Sequence, residues 1–192
     1  RAFVEREKLR YQSLNLPGDI RTAGHDRSYL EDIIFDEPFE GRTLLDIGCY
    51  LGYFCLEALK RGGAGATGID PNREVVRQAS ELASLLSLKP EYICGDFERY
   101  DWNNRSFDTV LCLNVLHHLF DPLHAIKTMM RIARRRVVIE FKTLGFDDLQ
   151  HGWFNPLMLA VRNTAHIYMA KPKTGDDVAS RSYLFTPDAL RM

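Results

Sequence analysis

The chain has 192 residues, 45% of them hydrophobic and 27% charged, an ordinary globular balance that suits one domain with a sizeable core. Its formal net charge of -1 argues against a whole-surface attraction to nucleic acid, while leaving a local basic patch open. No stretch approaches the roughly 20 apolar residues a membrane helix needs, so no membrane partner is expected.

Taken in chain order, "RAFVEREKLRYQ" predicts an amphipathic helix. A loop rich in turn formers follows, "SLNLPGDIRTAGHDRS", and Ser28 or Asp26 is placed to cap a second short helix running to about Phe35. From Thr43 the pattern becomes regular. "TLLDI" reads as a strand, "YFCLEALKRG" as a helix, "ATGID" as a strand and "REVVRQASELASLLSL" as a helix. "EYICG" and "FDTVLCLNV" read as strands, "PLHAIKTMMRIA" as a helix and "RRVVIEF" as a strand. Alternation of this kind predicts an α/β protein, a doubly wound, mostly parallel sheet with helices on both faces. Right-handed crossovers then put the strand C-termini on one edge, where ligands bind.

The rhythm breaks from Lys142 to Tyr183, longer than an ordinary connection and expected to be a lid-like insertion over about 143–183. "TPDALRM" then predicts a helix start, with Thr186 as N-cap and Pro187 in the first turn. A sheet of this kind normally continues, so further C-terminal strands are expected beyond the sequence. The basic run Arg134-Arg135-Arg136 reads as a solvated loop just before a strand. The four cysteines, Cys49, Cys55, Cys94 and Cys112, form no C-x-x-C pair and read as small core residues. That usage points to a reducing compartment, hence a cytoplasmic protein, and to no metal site. No signal peptide is visible, but the chain starts at Arg1 rather than Met, so a preceding targeting segment stays open.

The chemistry concentrates between Thr43 and Asp70. Asp46 ends one strand, Gly48 and Gly52 bracket the turn into the next helix, and Asp70 ends the following strand. Glycine there allows a tight turn and close approach of a ligand to the backbone. A dinucleotide site wants G-x-G-x-x-G, and here Tyr50 stands where its middle glycine would be. Asp46 suits a positive ligand group, and Asp70 is placed to bond a ribose hydroxyl pair. The ligand so described has a ribose, no pyrophosphate, and a cationic or amino group.

Four segments in order, "LLDIGCYLGYF", "GIDPN", "CGDFE" and "FDTVLCLNVLHHL", make the stretch from about Thr43 to Phe141 resemble the class I SAM-dependent methyltransferases, a Rossmann-like family. The resemblance implies S-adenosyl-L-methionine as cofactor and S-adenosyl-L-homocysteine as product. It implies that Asp46, Gly48 and the Cys49 backbone hold the methionine end, that the cofactor sits over Gly48 and Gly52, and that Asp70 bonds the ribose, with Pro71 next to it among the cofactor-binding residues. It further implies that Asp96 and Phe97 meet the adenine, and that Asn114 lies near the sulfonium. Residues 1–42 would form a helical cap and cofactor-covering loop on a domain of residues 43–192. Turn or helix capping is the plainer alternative for Asp46, Asp70 and Asp96. Asp108 is expected to cap the entrance of its strand.

Methyl transfer draws much of its rate from positioning and desolvation. A hydroxyl or protonated amine acceptor also needs a base, for which His117, His118 and Glu140 are the candidates at the strand-end edge. A salt bridge is the alternative for Glu140. In the insertion His151, Trp153, Phe154, His166 and Tyr168 are candidate acceptor-binding residues, in a segment with the composition of an apolar pocket wall. The loop "GDIRTAGHDRS" is distantly similar to enzymes that modify tRNA wobble uridines with carboxy-SAM. It departs from them by having His117 where they have Tyr and by lacking a Lys near Gly24, which favours ordinary SAM. Arg21, Thr22 and His25 are placed to close over the cofactor, or else form a surface turn with Asp26 and Arg27 as a local ion pair. The expected acceptor is a small molecule, such as a secondary metabolite or sugar-like compound, with O, N or C transfer open. The rivals are a tRNA methyltransferase and a non-catalytic SAM-binding partner subunit. A homodimer is the candidate assembly.

Overall fold

The computed structural model of the chain describes residues 6–7, 12–16, 20–140, 167–170 and 182–185, the last two stretches as backbone only. Two short strands, β1 (Asn15–Leu16) and β2 (Ile20–Arg21), pair antiparallel where the sequence predicts only a loop. A 3-10 turn at Ser28–Leu30 leads into the short helix α1 (Glu31–Ile34), and Phe35 closes it. Asp26 Oδ1 accepts from the Ser28 amide at 2.9 Å, which starts that turn.

The central sheet has five strands: β3 (Thr43–Ile47), β4 (Gly65–Asp70), β5 (Glu91–Cys94), β6 (Phe107–Leu113) and β7 (Ala133–Glu140). Their order is β5-β4-β3-β6-β7 and every pairing is parallel. Three helices supply crossovers, α2 (Tyr53–Lys60), α3 (Arg73–Leu85) and α4 (Pro122–Ile132). Strand order reverses between β3 and β6, so a crevice opens beyond their C-terminal ends. A separate antiparallel hairpin, β8 (Ile167–Ala170) and β9 (Ser182–Phe185), brings β9 beside the Leu116–His118 turn.

Alternation along β3 divides the core in two. Leu44 packs with Phe54, Leu56 and Leu111 on the α2 face, and Leu45 and Ile47 pack with Val110, Leu116 and Met129 on the α4 face. Asp46 shares the Leu44 side of the strand, so its carboxylate is carried into the interior, where the residue is 3% exposed. Capping fixes the helices that follow the strands. Asn72 Oδ1 accepts from the amides of Glu74 and Val75 at the start of α3, and Asp121 Oδ1 accepts from His124 ahead of Pro122 in α4.

Three expectations are corrected. The Arg134-Arg135-Arg136 run is not a loop but the start of β7, and it is tied to acids: Arg135 to Glu37 at 2.9 Å and Arg136 to Asp36 at 2.6 Å. Asp26 and Arg27 are not paired with each other, because Asp26 pairs with Arg21 at 2.8 Å and Arg27 turns inward to Glu140. Cys94 is exposed at the end of β5, while Cys49, Cys55 and Cys112 are buried and all four are free thiols. The N-terminal helix, apart from helical residues Arg6 and Glu7, and the predicted helix at Thr186 and Pro187 lie outside the described residues.

Candidate functional site

The loop after β3 is built by left-handed backbone. Gly48 has φ +67, Tyr50 φ 50 and Gly52 φ +76, and Gly52 stands directly before α2. The amides of Gly48 and Cys49 both donate to Ile69 O, at 2.8 and 3.3 Å, which binds the loop to β4. A Cβ at Gly48 would stand 2.4 Å from Val115 Cγ2, so only glycine lets the loop after β3 and the loop after β6 approach this closely. The cysteine backbone expected at the methionine end is therefore engaged in holding the turn.

Asp70 sits at the end of β4. Its Oδ1 accepts from the Asn72 amide at 2.9 Å and its Oδ2 from the Tyr50 amide at 3.3 Å. Partial burial raises its pKa, against the lowering effect of those two amides. Asp96 Oδ1 accepts from Glu98 N at 2.9 Å, and its other oxygen lies 3.6 Å from Arg99 Nε. Both acids thus cap turns while keeping their place at the strand ends. Asp108 belongs to the opposite end of the sheet, where Oδ2 accepts from the amide and hydroxyl of Thr43.

A cavity of about 780 Å3 opens at these strand ends, lined among others by Pro71, Asp96, Phe97, Val115, Leu119 and His118. That volume is in the range of small-molecule and cofactor pockets. Phe97 is buried against Trp102, whose Nε1 donates to Phe97 O at 2.9 Å. Glu98 ties the rim together, accepting from the amides of Phe120 and Asp121 at 2.7 Å each. It was not singled out in the sequence, although it lies inside the "CGDFE" segment.

A second, smaller cavity of about 50 Å3 adjoins the first, with Gly48 and Val115 lining both. Its polar lining is Asp46, Asn114, Gln12 and Arg27. Asn114 takes a left-handed conformation, φ 61, as the chain leaves β6, and its amide donates to Glu140 O at 2.7 Å. Burial pushes the Asp46 carboxyl up to about 7; Arg27 opposes that rise and Asp70 adds to it. Arg27 Nη2 donates to Glu140 Oε2 at 2.6 Å and the Tyr29 hydroxyl donates to Oε1 at 2.5 Å, so both oxygens of Glu140 are engaged. Gln12 carries no motif or periodicity that marks it in the sequence, and Arg27 reads there as a surface partner of Asp26 instead of a cavity residue.

His117 and His118 lie on the turn after β6, their ring centroids 4.0 Å apart. His118 reaches the larger cavity, and partial burial lowers its pKa. Arg21 stays exposed and bonds Ser13 Oγ, whereas Thr22 is buried, its hydroxyl donating to Gln12 O at 2.6 Å. His151, Trp153, Phe154 and His166 lie outside the described residues, and Tyr168 is described only as backbone in β8. Among the described residues no group of three or more His, Cys, Asp or Glu is arranged to hold a metal ion, and no helix is long and apolar enough to cross a membrane.

The parallel sheet, its reversal at β3 and β6, and acids at successive strand ends define a Rossmann-like nucleoside-binding class. Residues 45–140, half of the chain, match the family described as a methyltransferase domain. The chain belongs to that family, the SAM-dependent methyltransferases of Rossmann-like fold. Among its relatives, the tRNA U34 carboxymethyltransferase of Helicobacter pylori is 28% identical over 114 residues, 58% of this chain and 44% of that protein. The ubiquinone biosynthesis O-methyltransferase of Coxiella burnetii is 26% identical over 151 residues, 79% of this chain and 60% of that protein. The chain thus spans about half the length of these relatives. The crystal structure of magnesium protoporphyrin IX methyltransferase from Synechocystis, with bound SAH, shares the fold with a TM-score of 0.56 at 19% identity, covering 82% of this chain and 78% of that one.

Proposed function

We propose that this chain is an enzyme that transfers a methyl group from S-adenosylmethionine to a small-molecule acceptor at the strand-end crevice. The observation that carries the reading is the pair of adjoining cavities sharing Gly48 and Val115. One is large and partly apolar, suited to a nucleoside; the other is small and polar, suited to a charged head. The residues present fit the cofactor. Asp70 would hold the ribose hydroxyls, Asp96 the adenine amino group and Phe97 the ring, while Asp46, Gly48 and Asn114 would face the methionine end. When bound, S-adenosylmethionine supplies an electrophilic methyl on a sulfonium.

The chain's own residues then have three tasks. Gly48, Gly52 and Val115 shape the crevice so that the acceptor and the cofactor are held in line. Arg27, Tyr29 and Glu140 fix the N-terminal segment against the end of β7, so we assign Glu140 to positioning. Partial burial favours the neutral form of His118, which would accept the acceptor's proton at an imidazole nitrogen, with His117 packed beside it.

Support for a small acceptor comes from the formal net charge of -1, which offers a polyanion such as tRNA no overall attraction. The test is SAH formation with a panel of phenols, amines and hydroxyacids, run beside unmodified tRNA. Turnover with a small compound and none with tRNA is expected. Turnover with tRNA alone would replace the small-molecule reading, and SAM binding without turnover would favour a partner subunit.

A further inference from the structure

We propose that Gln12 and Arg27 read the zwitterionic α-amino-acid head of the cofactor, Gln12 Oε1 accepting from the ammonium and Arg27 meeting the carboxylate. The proposal rests on the SAM reading above and adds two residues that lie outside the matched family segment, 45–140.

Gln12 is 6% exposed, and its Oε1 has no hydrogen-bond partner among the described residues. A buried acceptor left without a donor is costly, so a site that keeps one is waiting for a donor. The side chain lines the small cavity beside Asp46. Its backbone is held in place by the contacts that join the β1 and β2 segments. Thr22 Oγ1 donates to Gln12 O at 2.6 Å and accepts from Leu14 N at 2.7 Å, and Ser13 N donates to His25 O at 2.9 Å.

The cavity joins two acceptors, Gln12 Oε1 and the Asp46 carboxyl, to one cation, Arg27. A simple anion would meet Asp46 and a simple cation would meet Arg27. A group carrying both signs satisfies the set. The volume, about 50 Å3, is that of a small polar group and not of a ring. A guanidinium has five N–H donors in a fork, so Arg27 can serve Glu140 and a ligand carboxylate at once.

The test compares S-adenosylhomocysteine with 5′-methylthioadenosine, which has the nucleoside and lacks the amino-acid head. Both are titrated calorimetrically into the wild type, Gln12→Met and Arg27→Gln. Methionine keeps the length of Gln12 and removes its acceptor. Each variant is expected to weaken S-adenosylhomocysteine by about tenfold or more, the size of a hydrogen bond to a charged group. Methylthioadenosine affinity should stay unchanged in both. The melting midpoint of ligand-free Gln12→Met should hold or rise, since an orphaned polar group is gone. Unchanged homocysteine-product binding in both variants overturns the proposal, as does an equal loss for both ligands, which marks a structural role. A wild type that binds neither nucleoside overturns the SAM reading itself, an outcome distinct from a wild type that binds both and variants that do not discriminate.

Discussion

Arg27 Nη2 and Glu140 Oε2 lie 2.6 Å apart, joining the N-terminal segment to the last residue of β7 across 113 positions of sequence. The side chains are 13% and 28% exposed, sheltered enough for the pair to matter more than a surface bridge. With Tyr29 on the other oxygen, Glu140 is held in one orientation. Glu140→Gln keeps the shape and removes the charge. As a positioning residue it should weaken cofactor affinity severalfold while changing kcat by less than about tenfold. A general base in that position would instead lose about 10²–10⁴ in kcat with cofactor affinity intact. Separate measurement of cofactor Kd and saturated turnover decides between them.

The turn after β3 should tolerate almost no side chain. A Cβ at Gly52 would stand 1.9 Å from the Tyr92 hydroxyl and 2.6 Å from its Cζ, at a backbone φ of +76. Gly52→Ala is expected to destabilise by about 2 kcal/mol or more, from strain and overpacking together. The Tyr92 hydroxyl itself is buried without a partner among the described residues. Tyr92→Phe should therefore be neutral or stabilising by about 1 kcal/mol. Urea denaturation of both variants checks the pair. A Tyr92→Phe loss as large as that of Gly52→Ala would show that the phenol is satisfied after all.

The sheet was legible because its signals are local and redundant. β3, β4, β6 and α2 to α4 each carry an apolar period and a turn or cap that agree. Asp46, Gly48 and Asp70 could be singled out because strand ends share one edge once the strands are parallel. What escaped depends on contacts distant in sequence. Arg27 reads as a surface partner of Asp26 until β7 places Glu140 beside it. Arg135 and Arg136 read as loop until Asp36 and Glu37 arrive to neutralise them within a strand. Cys94 resembles the other cysteines in sequence, but it ends a strand that is exposed there. β1 and β2 have two residues each, too few for any period to show.

Asp46 predicts a stability that depends on pH. Its folded carboxyl is raised to about 7, above the ordinary carboxylate range of the unfolded chain. Between those two values the unfolded state loses the proton and the folded state keeps it. The contribution is therefore fully present below about pH 4, falls as pH rises, and is lost above about pH 7. Asp46→Asn should gain stability relative to wild type between pH 5 and pH 8, measured by urea midpoints. A cationic group bound beside Asp46 would favour the ionised form, so cofactor binding near pH 6.5 should release a proton. Calorimetry in buffers of different ionisation enthalpy detects it. A pH-independent difference between the two proteins would mean that Asp46 is ionised throughout.

Asp70→Ala removes a carboxylate that accepts from Asn72 and Tyr50 and that we propose holds the ribose hydroxyls. S-adenosylhomocysteine affinity should fall by about tenfold or more, while thermal stability falls modestly with the lost turn bonds. Asp70→Asn retains one acceptor and should recover part of the stability and less of the affinity. Equal recovery of both would assign Asp70 to the turn alone.

His118 gives the sharpest pH signature for catalysis. Partial burial lowers its pKa below the usual histidine value, so the neutral imidazole dominates at pH 7. If it takes the acceptor's proton, kcat rises with pH through that depressed value. His118→Asn should remove this limb and lower kcat by about 10²–10⁴, leaving the cofactor Kd within a few fold. Stability carries the matching sign. The unfolded chain binds the proton more readily, so this part of the stability is present above the unfolded pKa and is lost as pH falls through the folded one. The same substitution at His117 separates the roles, because His118, unlike His117, lines the larger cavity. His117→Asn should leave the acid limb in place. Loss of the limb in His117→Asn and its survival in His118→Asn would reverse the assignment.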